Sequence, residues 1–322
     1  MSVLSMLQNE ALSGMAGIGD VAARYPELIT PYYASLIDRD DPDCPIRRQC
    51  VPDVRELDEM PGYVDDPLSD KAHHPAPRIT HRYPDRLLLH VTPNCAVRCR
   101  FCFRKSLTGA SGGIFDGSMD AALSYVAEAS GVREVILSGG DPLMASDDEL
   151  GHLVYRLSRI AHIGRLRVHT RMPVVQPSRI TGRLAEVLAA PRKIAGAASV
   201  RVVTHFNHPR EVTGESVAAC EMLMRSGARV LNQSVLLRGV NDNPHTLAEL
   251  FASLHRRGIG PYYLHHPDPA RGTAHFSLDP AEGLALFDAA RRLVPANSLP
   301  RYVIDVPGAP SKTPVECYLG RK

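Results

Sequence analysis

From Arg86 onward, short apolar runs rich in Leu or β-branched residues alternate with longer stretches of helical periodicity. This alternation restricts the possible folds more than any other feature. The expected strands are Leu87–Val91, Glu134–Leu137, Arg165–Thr170, Val200–Thr204, Arg229–Gln233 and Tyr262–His265. Helices are expected over Met119–Ala129, Asp148–Ala161, Ile180–Ala190, Glu215–Arg225, Pro244–Arg257 and Pro280–Leu293. Strand followed by helix, repeated, is the pattern of a parallel sheet with helical crossovers. Six units rather than eight predict an α/β fold, an incomplete (βα)6 parallel barrel open on one side. A last extended run, Arg301–Asp305, follows the sixth helix.

The rest of the chain is organised around that core. Residues 1–80 are rich in Pro and Asp, with helical patterning mainly over Val3–Ala34, and are expected to form a helical and irregular appendage. Residues 81–297 are expected to hold the barrel, and residues 298–322 a C-terminal segment packing on it. In parallel α/β folds the chemistry collects at the C-terminal ends of the strands. Polar residues stand there: Asn94–Cys95, Ser138–Asp141, Thr170–Arg171, His205 and Asn207, Gln233, and His265–Asp268.

Composition narrows the function classes. Hydrophobic residues make up 44% and charged residues 22%, enough for a packed core. The formal charge is only +2 and Arg is scattered, so nucleic acid is not an expected partner. No segment offers the roughly 18 uncharged apolar residues of a membrane helix, and the N-terminus lacks a signal-peptide pattern. The expectation is a cytoplasmic protein with no membrane partner.

Seven cysteines in a reducing compartment do not suggest a disulfide framework. Three of them, Cys95, Cys99 and Cys102, form a Cys-x3-Cys-x2-Cys triplet in the loop after the first strand. Thiolates suit iron–sulfur clusters or zinc. A cubane capped by three cysteines leaves one iron open, whereas structural zinc normally takes four ligands and no second cysteine hook is present. The triplet, with Phe101 just before its last cysteine, resembles the cluster loop of the radical S-adenosylmethionine (SAM) superfamily. The resemblance implies a [4Fe–4S] cluster whose open iron chelates SAM. Ser138-Gly139-Gly140-Asp141-Pro142 is similar to the superfamily loop that contacts the SAM amino group, which assigns Gly139, Gly140 and Asp141 to that cofactor.

Further motifs narrow the resemblance. His81–Arg86, Leu137–Leu143, Thr204–Pro209, Leu231–Asp242 and Val306–Pro314, in that order, resemble the lysine 2,3-aminomutase family from about Ile29 to Pro314. The family binds pyridoxal 5′-phosphate as a Schiff base on a lysine of a Pro-Gly-x-x-x-Lys motif, which places the cofactor on Lys312. It implies Arg82 and Tyr83 at the cofactor phosphate, with Arg86 and Arg171 as further candidates because Arg forms forked contacts with phosphate oxygens. Arg104 matches the residue that holds the substrate carboxylate, and Asp268 and Asp305 match the pair that clasps the distal ammonium of lysine. His205 and Gln233 match contacts to the nucleoside part of SAM.

The implied reaction is a shift of the 2-amino group of L-lysine to C3, giving β-lysine. It needs an electron donor of the flavodoxin or ferredoxin type. A homo-oligomer is open. Longer family members carry a cysteine-bearing tail that binds zinc; here the sequence stops at Lys322 and Asn243 stands at another of their zinc-ligand positions, so no zinc is expected. The stretch Ala309–Pro314 is similar to the branch acting on a lysine used to modify elongation factor P, whereas His81–Arg86 and Asp305 are similar to the free-lysine enzymes. The substrate is therefore expected to be free lysine, with elongation factor P lysine the close alternative. An arginine or glutamate aminomutase, or a metal-binding protein without activity, are the more distant readings.

Overall fold

The computed structural model describes residues 17–106, 114, 117–193 and 199–320. The helical patterning read over Val3–Met15 lies outside them. Its continuation breaks into α1 (Ile18–Arg24) and α2 (Pro31–Ser35) rather than one helix. The cause is local: Tyr25 precedes Pro26, which disfavours helical backbone, and Thr30 restarts the chain by accepting from the Tyr33 amide with Pro31 at the first helical position. A third short helix, α3 (Pro45–Cys50), and the 3-10 turns Val54–Leu57 and Asp70–His73 follow in the appendage.

Among the described residues all strands belong to one nine-stranded sheet whose spatial order follows the sequence. The strands are β1 (Ile79–Tyr83), β2 (Arg86–Thr92), β3 (Glu134–Gly139), β4 (Arg165–His169), β5 (Ser199–Thr204), β6 (Arg229–Val235), β7 (Gly260–His265), β8 (Arg301–Ile304) and β9 (Thr313–Pro314). The pairings from β2 through β8 are parallel, and β1 and β9 close the two ends antiparallel. The six expected strands are therefore joined by a seventh parallel one, because Arg301–Ile304 enters the sheet beside β7.

The crossovers carry α4 (Met119–Glu128), α5 (Asp147–Ser158), the single turn α6 (Met172–Val175) with α7 (Gly182–Ala189), α8 (Gly214–Arg225), α9 (Pro244–Arg256) and α10 (Pro280–Arg291); α11 (Val315–Gly320) follows β9. Side-chain oxygens start the crossover helices: Ser118, Ser146, Thr181, Thr213, Asn243 and Asp279 each accept from a first-turn amide.

Alternation along the strands separates the core from the cavity. Leu87 and Leu89, Val135 and Leu137, Leu166 and Val168, and Val200 and Val202 are buried in the main hydrophobic core. Each such side chain contributes about 1.5–3 kcal/mol by leaving water. Their neighbours Leu88, Ile136, Ser138, Arg167 and His169 line a central cavity of about 470 Å³. Period-two alternation thus leaves the inner face free to be polar.

Candidate functional site

The cavity runs between two groups of side chains. Near one end are Cys95, Cys99 and Cys102, with Gly139, Gly140, His205 and Gln233; further residues lining it are Arg82, Tyr83, Arg86, Arg104, Asp268, Asp305 and Lys312. Strand ends and the loops after them supply most of these.

The cysteine loop is fixed from outside the barrel. The Arg98 amide donates to the Leu28 carbonyl (2.9 Å) and the Arg100 amide to the Gln49 carbonyl (2.8 Å). Arg100, 1% exposed, bonds Glu56, which also accepts from Lys105 Nζ at 2.6 Å. The appendage thereby holds the loop that carries the triplet. The two glycines of the next loop serve a second close contact: a Cβ on Gly139 would stand 2.4 Å from the Thr92 carbonyl oxygen and one on Gly140 2.2 Å from that of Asn94. Gly139 also has φ +125°, a backbone conformation L side chains rarely adopt.

Two of the three half-buried thiols, Cys95 and Cys102, are shifted by their surroundings. Burial, then the neighbouring Cys102, pushes Cys95 up, and burial, then Cys99, pushes Cys102 up to about 11. A thiol raised in this way ionises when a cationic centre compensates it. Among the described residues no three His, Cys, Asp or Glu side chains converge as a single metal ion would require. A cubane asks for less convergence, since each thiolate caps a different iron. Phe101 lies against His205, ring centroids 5.6 Å apart, and burial with the nearby Arg171 pushes His205 down to about 3, so its imidazole is neutral.

At the lysine end, Lys312 Nζ donates to Asp305 Oδ2, and His265 Nδ1 lies 3.8 Å from the same oxygen. Asp268 is pushed up to about 7, mainly by burial and then by Asp305. Arg104 is oriented by Asp70, to which Nη2 donates at 2.7 Å and Nε at 3.3 Å. Arg82 and Arg86 flank the Tyr83 ring, at 5.6 and 4.5 Å from its centroid.

The family model described as the Radical SAM superfamily matches residues 89–251. The chain is 41% identical over 292 residues to the L-lysine 2,3-aminomutase of Clostridium subterminale, covering 89% of this chain and 68% of that protein. It is 41% identical over 288 residues to the L-lysine 2,3-aminomutase of Escherichia coli K12, covering 88% of this chain and 82% of the relative. The chain belongs to the lysine 2,3-aminomutase family of radical SAM enzymes. This supports an isomerase with a [4Fe–4S] cluster and SAM.

In this aminomutase-family chain the residues expected at the cluster, the SAM nucleoside, the substrate and Lys312 share one cavity. Two further expected residues line the same cavity with their charged groups engaged by the protein. Arg171, expected at a phosphate, points to the cysteine loop: it donates to Cys99 Sγ (2.8 Å), Glu211 Oε1 (2.6 Å), Gln49 Oε1 (2.6 Å), Tyr33 Oη (2.9 Å) and the His205 carbonyl (3.3 Å). All three guanidinium nitrogens are engaged, which leaves no fork for a phosphate. Asp141, expected at SAM, turns its carboxylate inward to Thr170 Oγ1 and the amides of Leu143 and Arg171.

Sequence reasoning missed Asp70, which lies in an irregular segment without periodicity, and His169. The second carried a signal. The order Arg165-Leu-Arg-Val-His169 puts Arg165, Arg167 and His169 on the face opposite Leu166 and Val168, and burial pushes His169 well below the usual imidazole range with Nε2 unpaired.

Helices long and apolar enough to cross a membrane are absent among the described residues.

Proposed function

We propose that this enzyme moves the 2-amino group of L-lysine to C3 and uses pyridoxal 5′-phosphate on Lys312. The observation that carries the reading is the sharing of one cavity by the cysteine triplet, Arg104, Asp268, Asp305 and Lys312.

The residues fit the pyridoxal cofactor. Arg82 has no ion-pair partner among the described residues, and with Arg86 and Tyr83 it offers charge and a hydroxyl to a phosphate. Lys312 presents an amine to the cavity. His169 Nε2 is a buried polar atom awaiting a partner beside it. When bound, the cofactor supplies an imine through which nitrogen can pass between adjacent carbons; the cluster and SAM supply a carbon radical able to take a hydrogen atom.

The chain's own residues bind and orient. Arg104, aligned by Asp70, receives the substrate carboxylate in a forked contact. Asp268 and Asp305 face the distal ammonium. A substrate with a distal carboxylate would bring like charge into a desolvated pocket, which disfavours glutamate. Holding both ends of the substrate fixes which carbon meets the radical.

The test is an anaerobic assay of cluster-reconstituted protein with SAM, pyridoxal phosphate, a strong reductant and L-lysine. β-Lysine, followed by mass spectrometry and lost in Cys99→Ala, is the expected product. SAM cleavage without β-lysine would overturn free lysine as substrate and direct the same assay to elongation factor P.

A further inference from the structure

The guanidinium of Arg171 is held by more contacts than an ordinary buried ion pair needs. Besides its five hydrogen bonds it lies 5.1 Å from the Tyr33 ring centroid and 5.3 Å from that of Phe101. Its backbone is fixed as well, since Asp141 accepts from the Arg171 amide at 2.7 Å. One Nη donates to Cys99 Sγ, while the other faces Glu211.

Glu211 is itself held away from the thiol. One carboxylate oxygen accepts from Tyr33 Oη (2.6 Å), and the other accepts from the amides of Asn207 (2.6 Å) and His208 (3.0 Å). The pair is therefore an oriented dipole with its positive end on a cluster ligand. Tyr33 comes from α2 and Gln49 from α3, so the appendage builds part of this environment.

We propose that Arg171 is the positioning residue that sets the reduction potential of the cluster, by donating to Cys99 with Glu211 held behind it. Reduction takes one electron from an external one-electron donor; no bond breaks and no proton moves at this step, and the cluster becomes one charge more negative. A fixed cation with an N–H bond to a ligand sulfur stabilises that state. The counter-charge of Glu211 limits the effect. The inference rests on Cys99 as a cluster ligand and is independent of the substrate.

The experiment is a potentiometric titration of the reconstituted full chain without SAM, reading the reduced cluster by electron paramagnetic resonance. At the wild-type midpoint, Arg171→Met is expected to lower the reduced-to-oxidised ratio about tenfold, ~59 mV for one electron. Arg171→Lys, which keeps the charge, is expected to restore part of the ratio. Glu211→Gln is expected to raise it, the opposite sign. The double variant Arg171→Met/Glu211→Gln leaves no lone buried charge and covers the case in which a single variant fails to fold; its ratio is expected to fall, because the lost cation was the nearer charge. Ratios within twofold of wild type at equal iron content would overturn the proposal, as would Arg171→Met and Glu211→Gln moving the potential the same way.

Discussion

At the cysteine end of the cavity the buried charges already have partners, whereas at the lysine end two polar groups wait for one beside the Lys312–Asp305 and Arg104–Asp70 pairs. Glu56 is flanked by Arg100 and Lys105, and Glu211 by Arg171, Tyr33 and two amides. Asp268 and His169, by contrast, are desolvated, and His169 Nε2 has no hydrogen-bond partner. The difference follows from what each end must hold. A cluster needs fixed ligands before it is assembled, so the loop carrying them is tied by satisfied networks. A site that admits a charged substrate keeps complementary groups unspent, at a cost in stability that ligand binding offsets.

Removing the amine at the lysine end is expected to have the largest effect on turnover. Lys312→Ala should abolish β-lysine formation and the near-ultraviolet cofactor absorbance while leaving iron content unchanged, which checks that the two ends are separable. At the cysteine end, Glu56→Ala leaves Arg100 and Lys105 buried without their carboxylate and should destabilise the fold by about 3–5 kcal/mol in chemical denaturation. Equal stability would mean that this network does not tie the loop.

A subtler contrast concerns orientation. Asp70→Asn removes the carboxylate that aligns Arg104, and the expected result is a several-fold higher KM for L-lysine with a smaller change in kcat. A further effect is on pH. In the free enzyme Asp268 is protonated below about 7, and a bound ammonium needs it ionised, so binding below that pH must expel a proton. The affinity for lysine should then fall by about tenfold per pH unit below 7, and Asp268→Asn should flatten the profile as well as weaken binding.

How much of this was legible in the sequence differs along the chain. The six barrel strands could be read because helix-packed residues such as Val200 and Val202 alternate with inward ones, and turns bound each run. β1 is not legible as a strand: it overlaps the family-like motif His81–Arg86, whose Pro84-Asp85 turn joins two antiparallel strands. Cys95, Cys99 and Cys102 were legible because ligand chemistry fixes residue type and spacing. Arg171 was legible only as a strand-end position. Which way its guanidinium turns depends on Tyr33 and Gln49, more than a hundred residues earlier, and no local pattern encodes that.

The central claim is that one end of the cavity starts radical chemistry and the other holds lysine for it. Its most direct test is a single anaerobic turnover with reduced, SAM-loaded protein and L-lysine, measuring 5′-deoxyadenosine and β-lysine together in wild type and Lys312→Ala. The account predicts β-lysine from wild type alone, with SAM cleavage retained in the variant. β-Lysine from Lys312→Ala at the wild-type level would contradict it.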